Sequence, residues 1–277
     1  MSRYLEQSNY AAALPLFTEM DDQLAPLVVI ESVSPGTIYV NDGQCPGSAL
    51  LKVGHRYYLA GNPANAAFNQ DLRDLFVQSI IPQTRAAGDG GFMMYVEDPG
   101  WYPVIEGIIF AGCKLYPGPR QYYKLDLHDP NWQVTAPALP EGFTFRPVDR
   151  ALLADPRYTN LDELTEEMCS ERESVEDFLS RSFGTVLVTA DKIAGWCLSE
   201  YNLADRCEVG IATAEEHRQR GLATLSALTF IEQARAHGIR RIGWHCWTGN
   251  EGSVNTAKRL EFRLMKDLRG YFAAVKE

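Results

Sequence analysis

The sequence predicts a mixed α/β protein built from two domains, and three observations carry that reading. Stretches with the two-residue period of strands interleave with stretches of the 3.6-residue period of helices along the 277-residue chain. A run around 126–142, with His128-Asp129-Pro130-Asn131 and Ala136-Pro137-Ala138-Leu139-Pro140-Glu141-Gly142, breaks every periodic pattern. Beyond it a helix over Leu222–Ala236 is apolar around most of its circumference and has to be packed against a sheet. The seam sets an N-terminal α/β domain at 1–125, a linker at 126–140 and a second domain at 141–277.

In the N-terminal domain, residues 37–40 and 55–59 read as strands. A helix follows at 65–80, with Phe68, Leu72, Phe76 and Ile80 spaced by four. Then come a strand at 91–96, a helix at 102–111 and a closing strand at 120–125. After the seam, 143–148 alternates as a strand, and 160–171 and 174–180 read as helices. The second of these opens on Ser174-Val175-Glu176-Asp177, a capping signature in which the hydroxyl satisfies an orphan backbone N–H. Strands at 184–190 and 193–201, parted by Asp191-Lys192, suggest a hairpin. A strand at 207–213 leads to the long helix, with Gly238 placed for a left-handed C-cap. A strand at 239–247, a short helix at 253–260 and two closing strands within 262–275 complete a layered mixed sheet.

Composition narrows the function classes. At 45% hydrophobic and 22% charged the chain can bury two small cores. No stretch approaches the roughly 20 apolar residues of a membrane-spanning helix, and the first residues lead into no apolar signal core, so a soluble, cytoplasmic protein with no membrane partner is expected. The six cysteines, Cys45, Cys113, Cys169, Cys197, Cys207 and Cys246, form no C-x-x-C pair, so no metal site or disulfide framework is expected. The net charge of −10 divides between the halves, with 8 basic and 14 acidic residues in 1–140 and 18 and 22 in 141–277. Such a surface repels a phosphate backbone, which argues against nucleic acid, and attracts a cationic amine.

The chemistry concentrates in Val209-Gly210-Ile211-Ala212-Thr213-Ala214-Glu215-Glu216-His217-Arg218-Gln219-Arg220-Gly221-Leu222-Ala223-Thr224. A strand ends, a short loop turns and a helix begins at a glycine. Unpaired N–H groups therefore converge at the positive end of a helix dipole, an arrangement that holds a phosphate. Gly221 is read as the place where the ligand approaches the backbone.

Here the sequence resembles the GNAT superfamily of acetyltransferases, whose acetyl-CoA motif Q/R-x-x-G-x-G/A is matched by Arg218-Gln219-Arg220-Gly221-Leu222-Ala223. A second stretch, Trp244-His245-Cys246-Trp247-Thr248-Gly249-Asn250 followed by Ser253, Ala257 and Phe262, is similar to the zwittermicin-resistance-type branch. The resemblance implies an acetyl-CoA-dependent N-acetyltransferase acting by direct transfer on the amine of a small molecule. It further implies that the backbone of Ile211, Ala212 and Thr213 pairs with the pantetheine arm. Arg218, Gln219, Arg220, Gly221, Leu222, Ala223 and Thr224 would cradle the pyrophosphate, with Asn250 and Ser253 contacting the cofactor from the neighbouring element. The competing reading is a non-catalytic CoA-sensing or interaction module, because the tyrosine that many relatives carry seven residues after the asparagine is here Ala257. Glu261 also stands where glycine is usual before Phe262.

Amine acetylation needs a base, an oxyanion donor and a proton for the thiolate. Glu208 is the candidate base, on one strand face with Gly210 and Ala212; the same residue also reads as an exposed strand-start glutamate. Tyr201, Ser253 and Tyr271 are candidate acids, with bulk water as the alternative. His245 reads as a satisfied, semi-buried histidine and Cys246 as a small hydrophobe. The acidic series Glu163, Glu166, Glu167, Glu171 and Glu173 reads either as an amine-binding entrance or as a solvated helix face. The N-terminal half repeats the order of elements and reads as a degenerate GNAT-like unit or as an unrelated α+β module. Its turn Gly61-Asn62-Pro63-Ala64-Asn65 lacks arginine, and its proline removes an N–H, so it is not expected to bind CoA. A homodimer is left open.

Overall fold

A computed structural model of the chain describes residues 2–275. The first unit opens with β1 (Arg3–Tyr4), a 3₁₀ segment at Gln7–Met20, α1 (Leu24–Ile30) and three antiparallel strands, β2 (Thr37–Val40), β3 (Ser48–Val53) and β4 (Arg56–Gly61). Next is α2 (Ala66–Leu75), whose N-cap Asn65 accepts from the Phe68 N–H. It runs through a π turn at Phe76–Ile80 into α3 (Ile81–Ala86). The parallel strand β5 (Gly91–Val96), the helical turn α4 (Trp101–Val104) extended by a π turn at Ile105–Ile109, and β6 (Lys114–Asp126) follow. Phe68, Leu72, Phe76 and Ile80 are buried together against β4 and β5, which is the outcome of their spacing by four.

The second unit repeats this order. The repeat runs from β7 (Phe143–Pro147) to α5 (Arg150–Leu153), α6 (Leu161–Met168) and α7 (Val175–Arg181). Ser174 caps α7 by accepting from the Asp177 N–H at 3.1 Å. Antiparallel β8 (Gly184–Thr189), β9 (Lys192–Leu203) and β10 (Arg206–Thr213) lead to α8 (Leu222–Ala236), and β11 (Arg241–Trp247) runs parallel to β10. The chain ends with α9 (Glu251–Arg259) and β12 (Arg263–Ala274).

Several expectations need correction. The strand β3 carries the single polar alternation Lys52 within buried neighbours, so its period is hidden and only β2 and β4 were legible. The β8–β9 turn is Ala190-Asp191, one residue earlier than expected, with Ala190 at φ +44°. Residues 263–274 form one strand rather than two. Residues 266–269 continue extended without a turn.

The division of the chain also differs from a linker at 126–140. One unit comprises Met1–Arg120 together with Asp267 onward, and the other comprises Gln121–Lys266. The seam thus lies inside β6, a continuous strand that carries no turn signal. The far half of β12 pairs antiparallel with β5, from Gly270↔Tyr95 to Ala274↔Gly91, and gives Tyr271, Ala273 and Val275 to the first unit's core. Strand order in the first unit is β1-β2-β3-β4-β5-β12, and in the second β6-β11-β10-β9-β8-β7. Among the described residues no helix is long and apolar enough to cross a membrane.

Candidate functional site

In the second unit α8 covers one face of the sheet, burying Cys197, Cys207, Val209, Ile242, Trp244 and Cys246 beneath Ala227, Phe230 and Ile231. The helices α6 and α7 cover the other face through Leu164, Met168 and Phe178 on Val186, Ile193 and Leu198. Strand alternation then puts Glu208, Gly210, Gly243 and His245 on the α6–α7 face.

Two irregularities shape this region. The parallel register of β10 and β11 runs through Arg206↔Arg241 and Cys207↔Ile242 to Glu208↔Gly243. Beyond it, β10 continues against β9 to Thr213↔Gly195, while its other edge borders a cavity of about 830 Å³. Opposite Glu208 the β9 strand bulges: Cys207 faces Asn202 and Val209 faces Ser199, so Glu200 and Tyr201 share the place across from one residue.

The cavity is bounded by Ile211, Ala212 and Thr213 on one side and by the loop into α8 on another. In that loop Gln219 and Gly221 are left-handed, at φ +60° and +76°. The first helical bond runs from Leu225 N–H to Gly221 C=O, so the N–H groups of Leu222, Ala223 and Thr224 precede the helical ladder and have no side-chain cap. A Cβ on Gly221 would meet nothing within 4 Å, so the glycine is required by its backbone angle and not by a crowded neighbour. Arg218 lines the cavity and its Nε also donates to the Thr213 carbonyl at 3.1 Å, tying the loop to the strand end. Arg220 is not in the lining; its guanidinium sits over the Phe143 ring at 5.1 Å.

The third wall is the start of α9. Asn250 caps this helix through its Oδ1, which accepts from the Ser253 N–H at 3.1 Å. The Ser253 hydroxyl accepts from the Trp244 indole at 2.9 Å, and both Asn250 and Ser253 line the cavity. Ala257 is fully buried beneath Trp244 and Phe262, so this position offers packing and no acid. Tyr271 is not part of this arrangement. It lies in the first unit's core, where its hydroxyl donates to Glu106 at 2.8 Å and burial pushes its pKa well up.

Glu208 is 4% exposed, so it is not the exposed strand-start glutamate of the second reading. Its Oε1 lies 3.4 Å from His245 Nε2, and the imidazole packs on Tyr122 with ring centroids 4.5 Å apart and planes tilted by 38°. His245 is not satisfied: Nε2 is buried and makes no hydrogen bond of good geometry. A Cβ on Gly243 would come within 3.1 Å of Glu208 Cγ and 3.2 Å of the Tyr122 ring, so glycine there lets the three side chains converge. Glu200, unremarked in the sequence, lies over Gly210, where a Cβ would stand 2.5 Å from its carboxylate. The signal was available, because a glycine inside a strand marks close approach by another group.

Tyr201 is buried and donates to Glu171 in the loop after α6, while Glu163 and Glu166 on that helix are exposed. The acidic series thus splits between a solvated face and a buried contact. Cys197 and Cys207 sit in the α8 core, where burial raises their thiol pKa values, and Cys246 packs in the same core as a hydrophobe.

A family model described as GNAT acetyltransferase matches residues 14–271. The chain is 23% identical over 273 residues to a protein of Bacillus subtilis (strain 168) described as the uncharacterized N-acetyltransferase YdfB, covering 97% of each. Among solved structures it is similar to a GCN5-related N-acetyltransferase-like protein from Streptococcus suis 89/1591, with TM-score 0.70, 20% identity and 96% and 98% of the two chains covered. It is also similar to a tandem GNAT protein from the clavulanic acid biosynthesis pathway, with TM-score 0.60, 15% identity and 100% and 99% covered.

Proposed function

Because the chain belongs to the GNAT acetyltransferase family and is a transferase, we propose that it is an acetyl-CoA-dependent N-acetyltransferase that acylates the amine of a small molecule by direct transfer. One observation carries the reading: the cavity joins an unpaired strand edge at Ile211–Thr213 to the orphan N–H groups at the start of α8. An extended amide-bearing arm fits the first, and a pyrophosphate fits the second. The roughly 830 Å³ between them is in the range of a cofactor cleft.

Acetyl-CoA, when bound, supplies an acyl thioester with a thiolate leaving group. In this reading Ile211, Ala212 and Thr213 hold the pantetheine amides through their backbone. Leu222, Ala223 and Thr224 hold the pyrophosphate through N–H groups that Gly221 and Gln219 aim, and Arg218 adds charge. Glu208 takes the proton from the acceptor's ammonium group so that the nitrogen lone pair becomes nucleophilic. Ser253 relays a proton from water to the departing sulfur: its O–H hydrogen passes to the sulfur as a water proton replaces it, and its oxygen accepts from Trp244, which leaves that hydrogen free to donate. Asn250 fixes Ser253 by capping α9. The likeness of Trp244–Asn250 to the zwittermicin-resistance-type branch supports a small-molecule acceptor.

The test is thiol release from acetyl-CoA with a panel of primary amines that includes an aminoglycoside, a polyamine and an arylalkylamine. Acceptor-dependent thiol release with a matching acetylated product supports the reading. Tight acetyl-CoA binding without release on any amine would overturn the small-molecule assignment.

A further inference from the structure

Glu208 raises a problem of its own. A base that is 4% exposed must lose the proton it collects before the next turnover, yet its side chain has little access to water. Beside it lies His245 Nε2, 3.4 Å from Oε1 and without a well-formed hydrogen bond. The histidine side chain is the more accessible of the two, 14% exposed against 5%. The ring lies against Tyr122 of β6 at a tilt of 38°, and Gly243 leaves the space in which the two side chains meet. The titratable groups facing His245 are thus Glu208 from β10 and Tyr122 from β6, with Glu200 and Tyr201 of the β9 bulge across from Glu208.

We propose that His245 is a positioning residue and proton relay for Glu208, taking over the proton that the carboxylate removes from the acceptor amine and passing it to solvent. The inference rests on Glu208 being the base. The ammonium N–H bond breaks as an O–H bond forms on Glu208. That bond then breaks as an N–H bond forms on Nε2 of the neutral imidazole, and the imidazolium releases one proton to water. No electrons change hands. A shift of about half an ångström shortens the 3.4 Å approach to hydrogen-bond distance.

The experiment compares the parent, Glu208→Gln and His245→Phe in the full chain, using the best acceptor of the amine panel and acetyl-CoA titrations by calorimetry. His245→Phe is expected to lower kcat on the order of tenfold near neutral pH, below the ~10²-fold or more of direct base removal, and to flatten the acid limb of the kcat profile. Acetyl-CoA affinity should stay within about twofold, since neither side chain lines the cofactor cavity. If the His245→Phe profile superimposes on the parent's while Glu208→Gln is slow, the relay is wrong and the base stands. If Glu208→Gln superimposes on the parent's, the base reading itself falls, and the relay with it.

A second measurement depends on neither acceptor nor His245→Phe folding. Imidazole nitrogen NMR of the parent and of Glu208→Gln at one neutral pH reads the surroundings of His245 Nε2. Losing the carboxylate 3.4 Å from Nε2 should move that resonance. A resonance that stays in place shows that the two side chains are not in contact and overturns the relay whatever the kinetics give.

Discussion

Gln219 and Gly221, one residue apart on either side of Arg220, are both left-handed, and the direction of the α8 N–H groups depends on both. The two residues differ in what they tolerate. Gln219 is unbranched and accepts φ +60° at modest cost, whereas a β-branched residue at Gly221 would be strained by roughly 1–2 kcal/mol in a position where a Cβ meets no neighbour. Gly221→Val is therefore expected to fold, by circular dichroism, but to turn its N–H groups away and lose acetyl-CoA affinity steeply in a titration. Arg218→Ala removes one exposed charge and one tie to Thr213, so its loss should be of order 1 kcal/mol and the smaller of the two. Equal affinity for parent and Gly221→Val would place the cofactor elsewhere. The left-handed turn at Gly221 was legible at this scale because a glycine before an apolar helix is a local signal. The convergence of Glu208, His245 and Tyr122 was not, because they come from three strands far apart in the chain.

At the scale of elements, α8 and α9 end in the same motif with opposite chemistry. In α8, Ile239 N–H bonds to Ala234 C=O and Gly238 N–H to Arg235 C=O, around Gly238 at φ +74°. In α9, Phe262 N–H bonds to Ala257 C=O and Glu261 N–H to Lys258 C=O, around Glu261 at φ +60°. Both are Schellman caps, and the position that wants glycine has it only in the first. Gly238→Ala should cost about 1 kcal/mol in thermal or denaturant unfolding, while Glu261→Gly should be neutral or stabilising by up to about 1 kcal/mol. Destabilisation by Glu261→Gly would mean that its side chain supports the β12 entry in a way its exposure does not suggest. The glutamate that looked like a departure from the family pattern thus keeps the same turn, at a conformational cost.

On the scale of the whole molecule, the two units share an order of elements: a strand, helices, three antiparallel strands, a helix, a parallel strand and a further helical segment. Their anion-binding potential differs at one turn. Gly61-Asn62-Pro63-Ala64-Asn65 replaces the loop before α8, with a proline that has no N–H and an asparagine cap already occupied by Phe68. One acetyl-CoA should therefore bind per chain in calorimetry, and two equivalent sites would contradict this. The first unit is closed by the end of the chain, so truncation after Lys266 removes Tyr271, Ala273 and Val275 from its core and the pairing partner of β5. Hydrogen exchange or limited proteolysis should show the first unit opening in the truncated chain, and unchanged protection of β5 would show that this strand is dispensable.

Local chemistry alone determined the mixed α/β class, the span of α8, the Ser174 cap, the left-handed Gly238 and the loop at Arg218–Thr224, because each is written in neighbouring residues within a turn or two. Tertiary structure decided what depends on partners distant in sequence. It placed the seam inside β6, sent β12 to β5, buried Glu208 beside an unsatisfied His245, and drew Tyr271 into the first unit's core. Strand pairing is non-local, and an extended segment carries the same alternating pattern whichever edge it joins. The neighbours of a strand residue, and so its chemistry, are therefore fixed only when the sheet is assembled.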